Sequence, residues 1–163
     1  MSSSGIPLTY YPGDNYLLIV GGGSAAVGKL RALSPFAPRI RLVAPCIRPE
    51  IQQLKTAFRE LQLHHRPFLP EDTHNVALAY VFTDNPQVNQ HITLICRKKG
   101  IPVNCAAAPA ALPDQRTTQR DFSSPASLVI DEYTISVSSG GITIKGAVQL
   151  RDHIHHLLQE YPL

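Results

Sequence analysis

The chain has 163 residues, which is enough for one domain with a substantial core and a small appendage. Its hydrophobic fraction of 44% is ordinary for a globular protein, and no apolar run approaches the roughly 20 residues of a membrane span. The net charge of +3 is small and the basic residues are dispersed, so we expect neither a nucleic-acid partner nor a membrane partner.

The amino-terminal residues and the cysteines bear on the cellular compartment. The first residues lack a basic region followed by an apolar stretch, which argues against a secretory signal and favours a cytoplasmic protein. The three scattered cysteines contain no C-x-x-C pair, which indicates structural thiols rather than disulfides or a zinc site.

His153 and His156 share one face of a predicted helix but lack a further ligand, so we expect no metal site.

The first predicted elements form the most informative segment. An apolar strand over residues 16–20 runs into Gly21, Gly22 and Gly23, and a helix is predicted to follow. This order of strand, glycine turn and helix is the context in which a glycine fingerprint binds a dinucleotide. Gly21 permits a tight turn, and Gly23 leaves the backbone open to a pyrophosphate. The alternative is a plain glycine turn before a buried helix.

Strands and helices continue to alternate along the chain, which predicts a parallel sheet with right-handed crossovers. The strands are apolar runs, as expected when helices cover both faces of a sheet. Asn75 is a candidate helix cap. The predicted helices occupy 24–34, 50–61 and 85–99, and the later predicted strands occupy 40–44, 63–68, part of 76–83, and 101–105.

The pattern changes after Cys105. Residues 106–119 are rich in alanine and proline and then polar, which predicts a loop or lid. Two short strands at 127–130 and 133–138 and a helix at 145–161 are predicted to follow. We therefore predict an α/β protein with a Rossmann-type parallel sheet in a domain over residues 1–112, and a small strand-and-helix segment over 113–163.

A set of short motifs lies along these elements in a specific order and spacing. Together they resemble the precorrin-2 dehydrogenase / sirohydrochlorin ferrochelatase family, which forms the N-terminal module of siroheme synthases. The motifs are a glycine triplet with Lys29 six residues after it, Val43-Ala44-Pro45, Thr83-Asp84 with Asn89, Val103-Asn104, Asp121-Phe122 with Pro125, and Ser138-Ser139-Gly140-Gly141.

The resemblance implies an enzyme of siroheme biosynthesis that oxidises precorrin-2 to sirohydrochlorin with NAD as the hydride acceptor. Some members also insert ferrous iron, which would enter as a substrate. The family fold implies that the carboxyl-terminal segment makes a homodimer. By this resemblance we expect a cofactor site of Gly21, Gly22, Gly23, Ser24, Ala25, Lys29, Ala44, Pro45, Thr83 and Asp84, and a tetrapyrrole site of Asn104, Ser138, Ser139, Gly140 and Lys145.

Position 107 departs from the family pattern. The family usually has an aspartate three residues after the asparagine of the V-N strand, and this chain has Ala107 there. Alanine cannot accept the proton that must leave when a hydride is removed from carbon. Asp114 is a candidate replacement and Ser139 a second candidate catalytic residue. The chain could instead be a non-catalytic relative that carries or senses the dinucleotide or the tetrapyrrole.

Each of four further candidate residues could have either of two roles. The second predicted strand ends without the acid that usually bonds the adenosine ribose, and Arg48 could meet the 2′-phosphate of NADP or lie in solvent. The family resemblance favours NAD over NADP. Thr83 and Asp84 also fit a cap for the next helix, and Ser139 also fits an ordinary turn.

Overall fold

The structure is a computed structural model, and it describes residues 5–105, 121–139 and 143–160. The chain forms two compact units, a larger one over Thr9–Phe122 and a smaller one formed by Met1–Leu8 with Ser123–Leu163. The domain boundary predicted after residue 112 falls outside the described residues, and it stays a prediction.

The larger unit is built on a five-stranded parallel sheet in the order β3-β2-β1-β4-β5. Strand β1 lies between β2 and β4, so the strand order changes direction there. Open α/β sheets bind their ligands outside the carboxyl ends of the strands at such a switch point. The strands are β1 (Tyr16–Val20), β2 (Arg39–Val43), β3 (Glu60–His64), β4 (Val76–Val81) and β5 (Val103–Cys105).

Helices cover both faces of this sheet. The helices are α1 (Ser24–Leu33), α2 (Pro49–Gln53) and α3 (Pro86–Lys98). Leu17 and Ile19 of β1 pack with α1 and α2, whereas Leu18 and Val20 pack with α3. Because successive strand residues point to opposite faces, all of β1 is buried, which explains its unbroken apolar run. The predicted fold class is confirmed.

The predicted helix over residues 50–61 is wrong in its second half. Helix α2 ends at Gln53, a 3₁₀ turn follows at Lys55–Ala57, and β3 begins at Glu60. Ile51 and Leu61 are both buried in the same cluster, but they reach it from a helix and from a strand. Apolar residues at helical spacing can therefore serve a short helix, a turn and a strand in succession.

The segment between β3 and β4 contains a 3₁₀ turn at Pro70–Thr73. The prediction of Asn75 as a helix cap is wrong. Asn75 caps no helix. It adopts a left-handed conformation with φ of 54°, and its carbonyl accepts a hydrogen bond from Tyr16 N at 2.8 Å, which aligns β4 with β1.

The smaller unit contains an antiparallel pair, β6 (Ala126–Ile130) and β7 (Tyr133–Val137), and helix α4 (Ile144–Glu160). The hairpin turns at Asp131, which has a φ of 49°, and α4 packs against both strands. The two strands and the helix have the predicted types. Among the described residues, no helix is long and apolar enough to cross a bilayer.

Candidate functional site

Gly21 follows β1 directly and lies between the carboxyl ends of β2 and β4. Its φ is +118°, and a Cβ atom on it would lie 2.5 Å from the carbonyl oxygen of Phe82. Its N–H donates to the Val43 carbonyl at 3.0 Å, while the N–H of Phe82 donates to the Val20 carbonyl at 2.8 Å. Only glycine combines this conformation with this close approach. Gly21 therefore supports the tight turn that the sequence predicts.

Gly22 lies directly against the loop that follows β2. A Cβ atom on Gly22 would lie 2.2 Å from the Cys46 carbonyl oxygen and 2.9 Å from Ile47 Cα. The N–H of Arg48 donates to the Gly22 carbonyl at 3.0 Å. The glycine turn and the segment from Ala44 to Arg48 therefore form one packed unit.

Gly23 precedes α1 and faces open space. Its backbone is extended, and a Cβ atom on it would meet no heavy atom within 4 Å. Within the described part of the chain no side chain caps this helix start, and no acidic residue lies in its first turn. Ser24 and Ala25 are exposed. The first-turn N–H groups and the positive end of the helix dipole thus form a suitable place for an anionic group.

A cleft of about 250 Å³ lies beside this helix start. Arg48 and Glu50 form an ion pair on it, with Arg48 Nη2 3.0 Å from Glu50 Oε1. The pKa of Glu50 is lowered by its own backbone N–H and then by the Arg48 guanidinium, so the carboxylate is ionised at neutral pH. The cleft is lined by Ser24, Val27, Gly28, Arg31, Arg48 and Glu50.

Glu50 was not among the predicted site residues, because the end of the second strand, where such an acid is expected, has only apolar residues. Ala44 is buried and Pro45 is exposed at that end, as the start of the loop that contacts Gly22. Glu50 reaches the cleft because this loop folds back onto the glycine turn before α2 begins. The Pro49-Glu50 pair, typical of a helix start, is the signal that could have pointed to it.

The T-D motif lies at the carboxyl end of β4, where a buried amide clamps it. Asn89 Nδ2 donates to the Thr83 carbonyl at 2.9 Å, and Asn89 Oδ1 accepts from Thr83 N at 3.1 Å and from Thr83 Oγ1 at 2.6 Å. The side chain of Asn85 caps α3, so Asn85 is the capping residue. Asp84 is exposed beside the switch point. Cofactor binding by Thr83 and Asp84 stays a prediction.

The Lys29 side chain lies over the ring of Tyr80. Its ammonium lies 4.8 Å from the centroid of the Tyr80 ring, and burial lowers its pKa. Tyr80 in turn makes an edge contact with Phe122, with ring centroids 5.2 Å apart. Within the larger unit the side chain therefore contributes to an aromatic cluster on the α1 face of the sheet. A role for Lys29 in cofactor binding stays a prediction.

The V-N and D-F motifs meet at the outer edge of β5. The Asp121 carboxylate accepts from Val103 N at 2.8 Å and from Arg97 Nη2 at 2.8 Å. Asn104 Nδ2 donates to the Phe122 carbonyl at 3.0 Å. These bonds hold residues 121–122 against β5, the strand that ends at Cys105. Ala107 and the candidate acid Asp114 lie between, outside the described residues.

The remaining predicted site residues belong to the smaller unit. Ser139 Oγ accepts from Thr143 N at 3.0 Å and donates to the Thr143 carbonyl at 3.1 Å, so it forms the turn before α4. Ser138 and Lys145 are exposed, and Gly140 lies outside the described residues. The turn role of Ser139 is therefore observed, and its role toward a substrate stays a prediction.

The fold and the glycine turn define a dinucleotide-binding protein, and the comparison with known families agrees. Residues 12–113 match the family described as "Putative NAD(P)-binding". The match covers the glycine turn and all five strands of the parallel sheet, so the chain belongs to this NAD(P)-binding family.

The relatives similar to this chain include siroheme synthases. Siroheme synthase from Ectopseudomonas mendocina is 34% identical over 136 residues, which are 83% of this chain and 27% of that protein. Siroheme synthase from Nitrosomonas europaea is 33% identical over 141 residues, which are 86% of this chain and 28% of that protein. The chain thus spans about a quarter of the length of these relatives.

A solved structure supports the same fold. The structure titled "SirC, precorrin-2 dehydrogenase" has a TM-score of 0.65 and 21% identity, and the match covers 96% of this chain and 71% of that one. With the family and the sequence relatives, this confirms the resemblance to the precorrin-2 dehydrogenase module that the motifs predicted.

Proposed function

We propose that this protein oxidises precorrin-2 to sirohydrochlorin in siroheme biosynthesis, with NAD as the hydride acceptor. One observation carries the proposal: the glycine turn opens α1 at the topological switch point of a parallel sheet, and Gly23 leaves that helix start uncovered. The similarity to siroheme synthases supports the choice of substrate. The family itself accommodates NAD or NADP.

The residues around the turn fit a dinucleotide. The backbone N–H groups of Gly23, Ser24 and Ala25 would hold the pyrophosphate, and Ala44 and Pro45 would border the adenosine. Thr83 and Asp84, at the end of β4, would border the nicotinamide. When bound, NAD supplies a ring carbon that accepts the hydride. The substrate also loses a proton. Asp114 is our candidate to receive it, because Ala107 stands where the family usually has an aspartate.

The tetrapyrrole side rests on fewer observations. Asn104, Ser138, Ser139, Gly140 and Lys145 are the proposed contacts, and Lys145 offers a cation to the carboxylates of the substrate. Ferrous iron would be a substrate of a chelatase step on the same product. We also propose a homodimer formed through the smaller unit, in the cytoplasm. Its apolar side chains Val129, Tyr133, Leu150 and Leu157 are all more than 40% exposed.

Ala107 favours a second candidate function. A protein that retains the dinucleotide site but lacks the usual acid could hold NAD or the tetrapyrrole as a carrier or sensor without turning over. The two candidates share the binding site and differ in chemistry, so a single assay separates them.

The test is anaerobic incubation with precorrin-2 and NAD, with NADH absorbance and the sirohydrochlorin spectrum followed together. We expect both to rise at equal molar rates. Binding of tetrapyrrole without turnover would favour the carrier or sensor, and a rise in turnover in Ala107→Asp would show that only the acid is missing. Failure to bind either ligand would contradict the proposal.

A further inference from the structure

The turn after β4 lies directly against the glycine turn. A Cβ atom on Gly21 would lie 2.5 Å from the Phe82 carbonyl oxygen and 3.3 Å from Thr83 N. The N–H of Phe82 also donates to the Val20 carbonyl at 2.8 Å. The two turns therefore leave neighbouring strands side by side, at the point where the strand order of the sheet changes direction.

These two turns would border different halves of a dinucleotide. In this class of fold the pyrophosphate lies at the start of the first helix, and the adenosine ribose lies beside the end of the second strand. Strand β2 is on one side of β1, and β4 is on the other. We therefore expect the nicotinamide beside the turn after β4, which contains Thr83 and Asp84.

A buried amide near the start of α3 holds this turn in place. Asn89 is 6% exposed, and α3 packs on the sheet through Ile92 and Cys96. Asn89 Nδ2 donates to the Thr83 carbonyl at 2.9 Å, and Asn89 Oδ1 accepts from Thr83 N at 3.1 Å and from Thr83 Oγ1 at 2.6 Å. The N–H, the carbonyl and the hydroxyl of Thr83 are thus all bonded to α3, so Asp84 follows a fixed point of the backbone.

The start of α3 is satisfied by a different residue. Asn85 Oδ1 accepts from Gln87 N at 2.9 Å and from Val88 N at 3.1 Å, which is the usual work of a helix cap. The three side-chain bonds of Asn89 go instead to Thr83. An amide is suited to this task, because one side chain supplies both a donor and an acceptor. Asn89 therefore acts on the turn rather than on the helix start.

We propose that Asn89 is a positioning residue for the nicotinamide, because it fixes the Thr83-Asp84 turn relative to the glycine turn. Hydride transfer requires the reacting carbon to stay within a narrow range of positions, so a rigid border on this side serves the reaction. The adenosine and pyrophosphate contacts lie on other segments and do not depend on Asn89. The inference deepens the proposed function and rests on its dinucleotide site.

Calorimetric titration of NADH and of ADP-ribose tests the inference without any turnover. ADP-ribose has the adenosine, the pyrophosphate and the second ribose but no nicotinamide, so the ratio of the two affinities measures what the ring contributes. We expect the wild type to bind NADH about tenfold more tightly than ADP-ribose, the size of about one hydrogen bond. Asn89→Ala should lose most of this advantage, while its affinity for ADP-ribose stays within about twofold of the wild type.

Two further variants separate positioning from folding. Thr83→Val removes the hydroxyl and leaves both main-chain bonds to Asn89, so it should fold well and lose a smaller part of the NADH advantage. Asn85→Ala is the matched control, because it removes the side-chain cap of the same helix and leaves the bonds between Asn89 and Thr83 in place. It should lower the melting temperature and keep the wild-type ratio of affinities.

Each outcome bears on one of the two claims. An equal loss of NADH and ADP-ribose affinity in Asn89→Ala, or no loss of either, would overturn the positioning role of Asn89. A wild type that binds NADH and ADP-ribose equally would also overturn it, and the dinucleotide site would stand. Failure of the wild type to bind either ligand would instead overturn the proposed function.

Discussion

At the scale of single residues, the three glycines of the turn have different reasons to be glycine. Gly21 and Gly22 are required by the protein itself, because a Cβ atom on either would collide with the backbone of a neighbouring segment. Gly23 has no such constraint. We propose that its lack of a side chain serves the approach of a ligand, so that the three positions separate folding from binding.

Alanine at each position should reveal this difference. Gly22→Ala should destabilise the protein by about 1–3 kcal/mol or more, because the methyl group would overlap the Cys46 carbonyl. Gly23→Ala should cost less than about 1 kcal/mol, the cost of a weaker helix cap. It should nevertheless weaken NAD binding at least several-fold. Urea unfolding and titration calorimetry measure the two effects, and equal destabilisation by both changes would contradict the assignment.

The cysteines should also differ in reactivity. Burial raises the pKa of the Cys96 thiol to about 11, so this thiol stays protonated and shielded at pH 8. Cys46 is exposed on the loop against Gly22. Iodoacetamide at pH 8 should modify Cys46 in the native protein and Cys96 only after unfolding, as read by peptide mass spectrometry. Modification of native Cys96 at a rate similar to that of Cys46 would contradict the burial of this thiol, which lies on α3.

At the scale of elements, the 3₁₀ turn at Pro70–Thr73 replaces a crossover helix and depends on one buried carboxylate. Asp72 is 4% exposed and is bound by both terminal nitrogens of Arg66, at 2.6 and 2.8 Å. Its second partner is the N–H of Leu69, at 2.8 Å. Burial alone would raise the pKa of Asp72, but the Arg66 and Leu69 hydrogen bonds outweigh it and hold the pKa below the ordinary value.

Asp72→Asn should therefore destabilise the protein by about 2 kcal/mol at pH 7. Because the folded-state pKa is depressed, the wild-type advantage is present above the unfolded value of 3.8 and is lost as the pH falls through the folded value. Asp14→Asn is the control, since its pair with Arg59 is 80% and 67% exposed and should contribute little. Urea unfolding at pH 7 and below pH 3.8 measures the difference in unfolding free energy between the wild type and Asp72→Asn. A difference that is larger in acid than at pH 7 would contradict this prediction.

The elements also show where sequence patterns are sufficient. Strand β1 and helix α3 were predicted almost to the residue, because an apolar run and the Asn85-Pro86 start are local signals. Residues 50–61 were misassigned, because their apolar spacing is compatible with a helix and the choice of strand for Glu60–His64 depends on pairing with β2. The position of Glu50 in the cleft likewise depends on tertiary contacts with Gly22.

At the scale of the whole molecule, the described residues of the smaller unit form little core of their own. They form two strands and one helix, and Leu150 and Leu157 of α4 are 51% and 41% exposed. A two-stranded sheet of this kind is marginal without further packing. The proposed homodimer would supply that packing, which the sequence suggested only through the family resemblance.

Leu150→Glu should therefore shift the protein toward monomer in sedimentation velocity, because a charge would be buried in the interface. Gln149→Glu is the matched control, since Gln149 is an exposed neighbour on α4 and the added charge is the same. A sedimentation profile that is identical for the wild type and both variants would contradict a dimer through this face.

We propose that the glycine turn and the loop after β2 together hold a dinucleotide. Hydrogen–deuterium exchange with and without NAD+ tests this claim most directly, because it locates binding along the chain. We expect protection mainly in residues 21–28 and 44–50, with a smaller effect at residues 83–84, and we expect residues 144–160 of the smaller unit to be unchanged. Protection absent from these two segments in the presence of saturating NAD+ would contradict the account.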